Sequence, residues 1–157
     1  MTEPILQDTL IQIADAMTRE LNWVQTQLPT AFSRRFQAER VYDYTRDLED
    51  TVDLRVDVVA EKQDDEPFTR QAWRGTGIVS VAVREKIRVE DIARVDALTY
   101  FTGQLRDFWT APVRRLLYFP AAAPVKRLIV YPYLQKLLRG KGQFVSVLQL
   151  TFNLVNQ

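Results

Sequence analysis

Leu6, Leu10, Ile13, Met17, Leu21, Val24 and Leu28 recur at spacings of three and four residues, which is one face of a 3.6-residue period. The pattern predicts a helix from about Glu3 to Leu28, with Thr2 as N-cap, Glu3 in the first turn and Pro29 at the end. Asp8, Asp15, Arg19 and Glu20 fall on its polar face. In residues 30–50, Arg34, Arg35, Glu39 and Arg40 surround Phe32, Phe36 and Val41, a weak pattern that fits a short strand or an irregular crossing. The period then drops to two. Val52, Leu54, Val56 and Val58 alternate with Asp53, Arg55 and Asp57, the mark of a strand with one buried face.

Residues 61–73 are polar and read as a solvated connection containing Asp64-Asp65-Glu66-Pro67. From Gly75 to Lys86, Val79, Val81 and Val83 point one way and Ser80, Ala82 and Arg84 the other, so the two strands are expected to form an antiparallel hairpin with a long loop. A second amphipathic helix is predicted from Val89 to Trp109, with Ile92, Val95, Leu98, Phe101, Leu105 and Phe108 on its apolar stripe and Glu90, Asp91 and Arg94 at its start. Gly103 within it suggests close packing. Pro112, Pro120 and Pro124 disfavour a continuous helix or a central strand over residues 112–124, which read as an ordered crossing. Leu128, Val130, Tyr131 and Tyr133 suggest a short strand interrupted at Pro132, at the edge of the sheet. Gly140-Lys141-Gly142 is a turn. After it, Phe144, Ser146, Leu148, Leu150, Phe152 and Leu154 alternate with Val145, Val147, Gln149, Thr151 and Asn153. The order of elements predicts one α+β domain over residues 1–157: an antiparallel sheet of four to five strands with two long amphipathic helices packed on it.

Composition narrows the chemistry. The 157 residues contain neither cysteine nor histidine, which removes disulfides, thiolate metal sites, the commonest general base and the best nucleophile. An enzyme would have to work with Asp, Glu, Lys, Ser or Tyr, or with oxygen-ligated magnesium. The expectation is therefore a structural or binding protein with no catalytic residues, no cofactor and no metal. No apolar run approaches the roughly 18 residues of a membrane helix, and the start MTEPILQDTL lacks the basic and apolar regions of a secretory signal. The formal net charge of +1 conceals a division. All 20 acids lie in residues 1–111, whereas residues 112–157 carry Arg114, Arg115, Lys126, Arg127, Lys136, Arg139 and Lys141. A split of this kind serves nucleic acid binding or lets copies of the chain attract one another head to tail.

Four groups of residues are candidates for chemistry. Asp53 and Asp57 share a strand face and could hold magnesium, but alternating Asp and Arg is the ordinary make-up of a solvated outer face. Asp64-Asp65-Glu66 could bind a cation, yet a polar acidic run is more often solubilising, and its spacing is not that of an EF-hand. Arg139-Gly140-Lys141-Gly142 lacks the Walker spacing and is followed by a strand where a phosphate loop needs a helix. The acid-free segment 112–157, with Tyr118, Phe119, Tyr131 and Tyr133 among its cations, is the strongest candidate surface. Rings among cations suit single-stranded nucleic acid, and Tyr with Arg equally suits protein contacts.

In its order of elements the chain resembles the small bacteriophage proteins that cap the tail tube or join it to the neck, the tail-terminator-like family. The resemblance is carried by the N-terminal helix, the strand Thr51–Val59, the run GTGIVSVAVREKI leading into the helix RVEDIARVDALTYFTGQLRDFW, and the closing strand QFVSVLQLTFNLV. Residues 30–50 and 112–140 have no counterpart in it. The resemblance implies a ring, usually of six copies, on the last ring of the tail tube and facing the neck, in a virion assembled in the host cytoplasm. Its partners would be further copies of itself, tail-tube protein and neck or connector protein. DNA would pass through the lumen without its sequence being read. Acidic and basic parts of neighbouring subunits would steer assembly, or the acids would line the lumen. Contacts are expected from Phe68, Arg70, Trp73 and Arg74 around the 61–74 loop, and from Arg114, Arg115, Lys126, Arg127, Tyr131 and Tyr133 in the basic segment. Competing readings are a head-completion or connector neck protein, a nucleic-acid-binding accessory protein using residues 112–157, and a magnesium enzyme built on Asp53, Asp57 and the loop acids.

Overall fold

The alternation at Val79–Val83 and that at Phe144–Phe152 become the two central strands of one sheet. A computed structural model of the chain describes residues 9–42, 54–67, 73–87, 90–109, 124–131 and 142–156. In chain order the elements are α1 (Thr9–Gln27), β1 (Gln37–Arg40), β2 (Arg55–Pro67), β3 (Trp73–Lys86), α2 (Ile92–Phe108), β4 (Pro124–Tyr131) and β5 (Gln143–Asn156). The strands lie in the order β1-β2-β3-β5-β4. β3 pairs along its whole length with β5, from Trp73 opposite Asn156 to Lys86 opposite Gln143. Gly142, just before the last strand, has φ 62°, and a Cβ there would stand 2.9 Å from the carbonyl oxygen of Ile87, so this position requires glycine.

The protein is α+β, and its sheet is mixed, not antiparallel throughout. β1 runs parallel to β2, with Gln37 opposite Arg55 and Arg40 opposite Val58. The crossing over residues 41–54 is long enough to return the chain for a parallel pair, which needs about a dozen residues. QAER carries no hydrophobic alternation, and side chains of α1 hold it in place. The Asn22 amide donates to Ala38 O at 3.0 Å and accepts from Ala38 N at 2.9 Å. Gln25 Oε1 accepts from Phe36 N at 2.9 Å, and Arg40 Nε reaches Asp15 at 2.6 Å. The outer backbone of this edge strand is thus occupied by a helix.

Both helices pack on the same face of the sheet. α1 lies against β1, β2 and β3, and α2 against β5 and β4. Their buried stripes, Leu10, Ile13, Met17, Leu21 and Val24 on α1 and Leu98, Phe101 and Leu105 on α2, join Val56, Val58, Val79, Val81, Val83, Leu148, Leu150 and Phe152 in one cluster. Phe32 and Phe36 bridge the helices, with ring centroids 6.1 and 5.2 Å from Phe101.

Several expectations change. Residues 61–67 of the expected connection are strand, not loop: β2 continues to Pro67 and β3 starts at Trp73. Backbone pairing carries this polar arm, Gln63 and Asp65 standing opposite Gly77 and Gly75, positions that demand no apolar partner. The register shifts between Ala60 and Lys62, making Glu61 the extra residue of a bulge. α2 begins after Asp91, whose carboxylate caps the helix by accepting from Arg94 N at 3.1 Å. Ile92, assigned to the apolar stripe, is 72% exposed, and Val95 and Phe108 are only partly buried. Glu20, assigned to the polar face of α1, is buried, and Leu28 is exposed beyond the helix end. Pro124 is the first residue of an edge strand, a place that tolerates a missing N–H. Thr2, Glu3 and Leu6, the crossing at 112–123 and the glycine turn before Gly142 lie outside the described residues.

Candidate functional site

The second face of the central strands is buried as well, and its chemistry differs from the first. Along β3 the alternate positions are Ser80, Ala82 and Arg84, each with no exposed surface. Arg84 Nη1 donates to Asp57 Oδ2 at 2.9 Å, with both side chains fully buried. Asp57 was expected on a solvated outer face, and it is not there. Register explains the pair: Asp57 stands opposite Ala82, and Arg84 is one step further along on the same face. Arg55 places a third charge 3.6 Å from the other Asp57 oxygen and pairs at 2.7 Å with the exposed Glu39. A carboxylate already bound to a guanidinium is a poor magnesium ligand, which weakens the enzyme reading at Asp57. Asp53 lies outside the described residues. Further along the same face, the bulge residue Glu61 accepts hydrogen bonds from the Ser80 hydroxyl and from the Gln149 amide, the latter at 3.2 Å. That ladder ties together three strands.

A second ionic centre lies one residue further along β3, on the other face of the strand. The buried Glu85 carboxylate accepts from Arg34 at 2.8 Å and from Arg94 at 2.6 Å. Burial pushes its pKa up, but the two guanidinium groups outweigh burial and hold the carboxyl below its usual range. Three segments meet at this carboxylate: the bend after α1, the end of β3 and the first turn of α2. Its position and partners make it a clamp. Sequence spacing gave no sign of either centre, because both join residues from distant segments.

The expected contact residues separate into groups. Trp73 and Arg74 open β3, opposite Pro67 and Glu66 on one side and Asn156 and Val155 on the other. Lys126, Arg127 and Tyr131 lie on β4, the outer strand, where Lys126 pairs with Thr151 and Tyr131 with Val147. Thr151 in turn faces Ile78, so Lys126 is level with a point five residues along β3 from Trp73, roughly 17 Å at about 3.3 Å per residue. Phe68, Arg70, Arg114, Arg115 and Tyr133 lie outside the described residues.

The described surface adds an open groove of about 440 Å3 lined by Asn22, Gln25, Thr26, Pro29, Arg35 and Phe36. Asn22 spends its amide on Ala38 of β1, while Gln25 accepts from Phe36 N just before that strand and donates to Leu21 O within α1. Trp23, Tyr42 and Tyr100 are exposed aromatics, with the Arg40 guanidinium 5.1 Å above the Tyr42 ring. No helix among the described residues is long and apolar enough to cross a membrane. No family model matches the chain, and no curated protein matches it.

Proposed function

We propose that this chain is a structural subunit of a bacteriophage tail, forming a ring of six copies that ends the tail tube and joins it to the neck. The observation that carries the reading is the order of elements. A helix, a strand, a second strand that runs into a second helix, and a closing strand form the order on which the resemblance rests. The use made of the ionisable groups supports it further. Asp57 and Glu85 are committed to arginines that tie strands and helices together, which is what a scaffold requires and leaves neither free for acid–base work.

In this role the partners are further copies of the chain, tail-tube protein and neck or connector protein, with DNA passing through the lumen. The test is direct: purified chain is mixed with assembled tail tubes and imaged by negative stain. The reading expects one ring seated at one end of each tube. Absence from the tubes, together with DNA binding that falls steeply with salt, would overturn it in favour of a nucleic-acid-binding accessory protein. A ring that binds portal-side protein and ignores tubes would make it a connector.

A further inference from the structure

The two sides of the sheet end differently. On one side β1 covers only Arg55–Val58 of β2, and the last bond of that pair runs from Val41 N to Val58 O at 2.9 Å. Beyond it, residues 59–67 of β2 are paired on the β3 side alone among the described residues. On the other side β4 pairs with β5 alone among the described residues. Among the described residues the sheet therefore has two strand edges of similar length without a partner strand. Their charges are opposite. Residues 59–67 contain Glu61, Asp64, Asp65 and Glu66 against a single Lys62, whereas β4 contains Lys126 and Arg127 and no acid.

We propose that the outer edge of β4 pairs with residues 59–67 of β2 in a second copy of this chain, head to tail. The inference rests on the ring reading and names the contact that would close the ring. Strand direction agrees with it. β2, β3, β5 and β4 alternate in direction, so a copy placed in the plane of the sheet beside β4 presents its β2 antiparallel. Charge agrees too. Two β4 edges would set Lys126 and Arg127 against their own kind, and two β2 edges would set acids against acids, so like edges repel and unlike edges attract. An interface of unlike edges is heterologous, the kind that generates a ring when its rotation closes. Lys126 is level with Lys62 through Thr151 and Ile78, so a stagger of about three residues, of the kind closed sheets have, sets Lys126 and Arg127 beside Asp65 and Asp64.

The test uses two variants of the full chain, Lys126→Glu with Arg127→Glu, and Asp64→Lys with Asp65→Lys. Each variant alone carries one sign on both edges and is expected to assemble at least ten-fold more weakly than the wild type by sedimentation. Circular dichroism checks that each remains folded. A mixture of the two restores unlike edges at every contact and is expected to recover rings. Rings from either variant alone at wild-type concentration, or a mixture of folded variants that stays monomeric, would overturn the edge pairing while leaving the ring reading standing. A wild-type chain that never assembles would overturn the ring reading, and the pairing with it.

Discussion

The two faces of the central strands are both buried, yet they are held by different forces. On the helix side, Val79, Val81 and Val83 of β3 meet Leu148 and Leu150 of β5 under α1 and α2, and the stabilisation is apolar area removed from water. On the other side, Ala82, Val145 and Val147 form a small separate cluster beside the Asp57–Arg84 pair. Burial by apolar contact is non-directional and tolerates substitution by residues of similar volume. A buried ion pair offsets a large desolvation cost only while both partners are present and aligned, so one face should yield gradually and the other abruptly.

Removing one charge gives the largest expected effect. Arg84→Ala leaves the buried Asp57 with only the more distant Arg55, 3.6 Å away, and should cost about 3–5 kcal/mol in urea unfolding. Replacing both, Asp57→Leu with Arg84→Met, should recover most of that loss, because no charge then remains to be solvated. If the double variant is as unstable as the single one, the pair is not what separates the two faces. On the helix side, Val81→Ala should cost about 2–3 kcal/mol through lost transfer energy and a small cavity. Its loss should add to that of Arg84→Ala, since the two side chains are three residues apart and on opposite faces of β3.

The Glu85 clamp stands between these extremes, and pH probes it. Its folded-state pKa is below the ordinary value of 4.5, so its contribution is fully present above about pH 5. That contribution is lost as pH falls through the depressed folded value. Glu85→Gln should cost about 1–2 kcal/mol at neutral pH and flatten the fall of stability below about pH 5. An unchanged acid profile would mean that the clamp carries no net stability. The smallest effect is expected at Glu39, which is 59% exposed in its pair with Arg55: Glu39→Gln should change stability by about 0.5 kcal/mol or less.

The contrast between faces also explains what the sequence made legible. Periodicity revealed α1, β3 and β5, because each buries one regular row of apolar side chains against the helix layer. It could not tell that the second row was also buried. Ser80, Ala82 and Arg84 look like a solvated row until register sets Arg84 beside Asp57. β1 was ambiguous because Asn22 and Gln25 of α1 hold it, and side-chain amides leave no trace in hydrophobic spacing. The arm at 61–67 read as a loop because its stabilisation is the backbone ladder to β3, to which polar residues are no obstacle. Of the expected contact residues, Tyr131 fell on the strand predicted as an edge, and that strand extends back through Arg127 and Lys126 to Pro124. Its acidic counterpart on β2 was hidden inside the supposed loop.

The most direct measurement is the mass of the purified chain by light scattering at low and at high salt. Assembly through oppositely charged edges predicts a multiple of the 18.3 kDa subunit at low salt, moving toward the single subunit as salt screens the contact. A mass of one subunit at both salts would contradict the account.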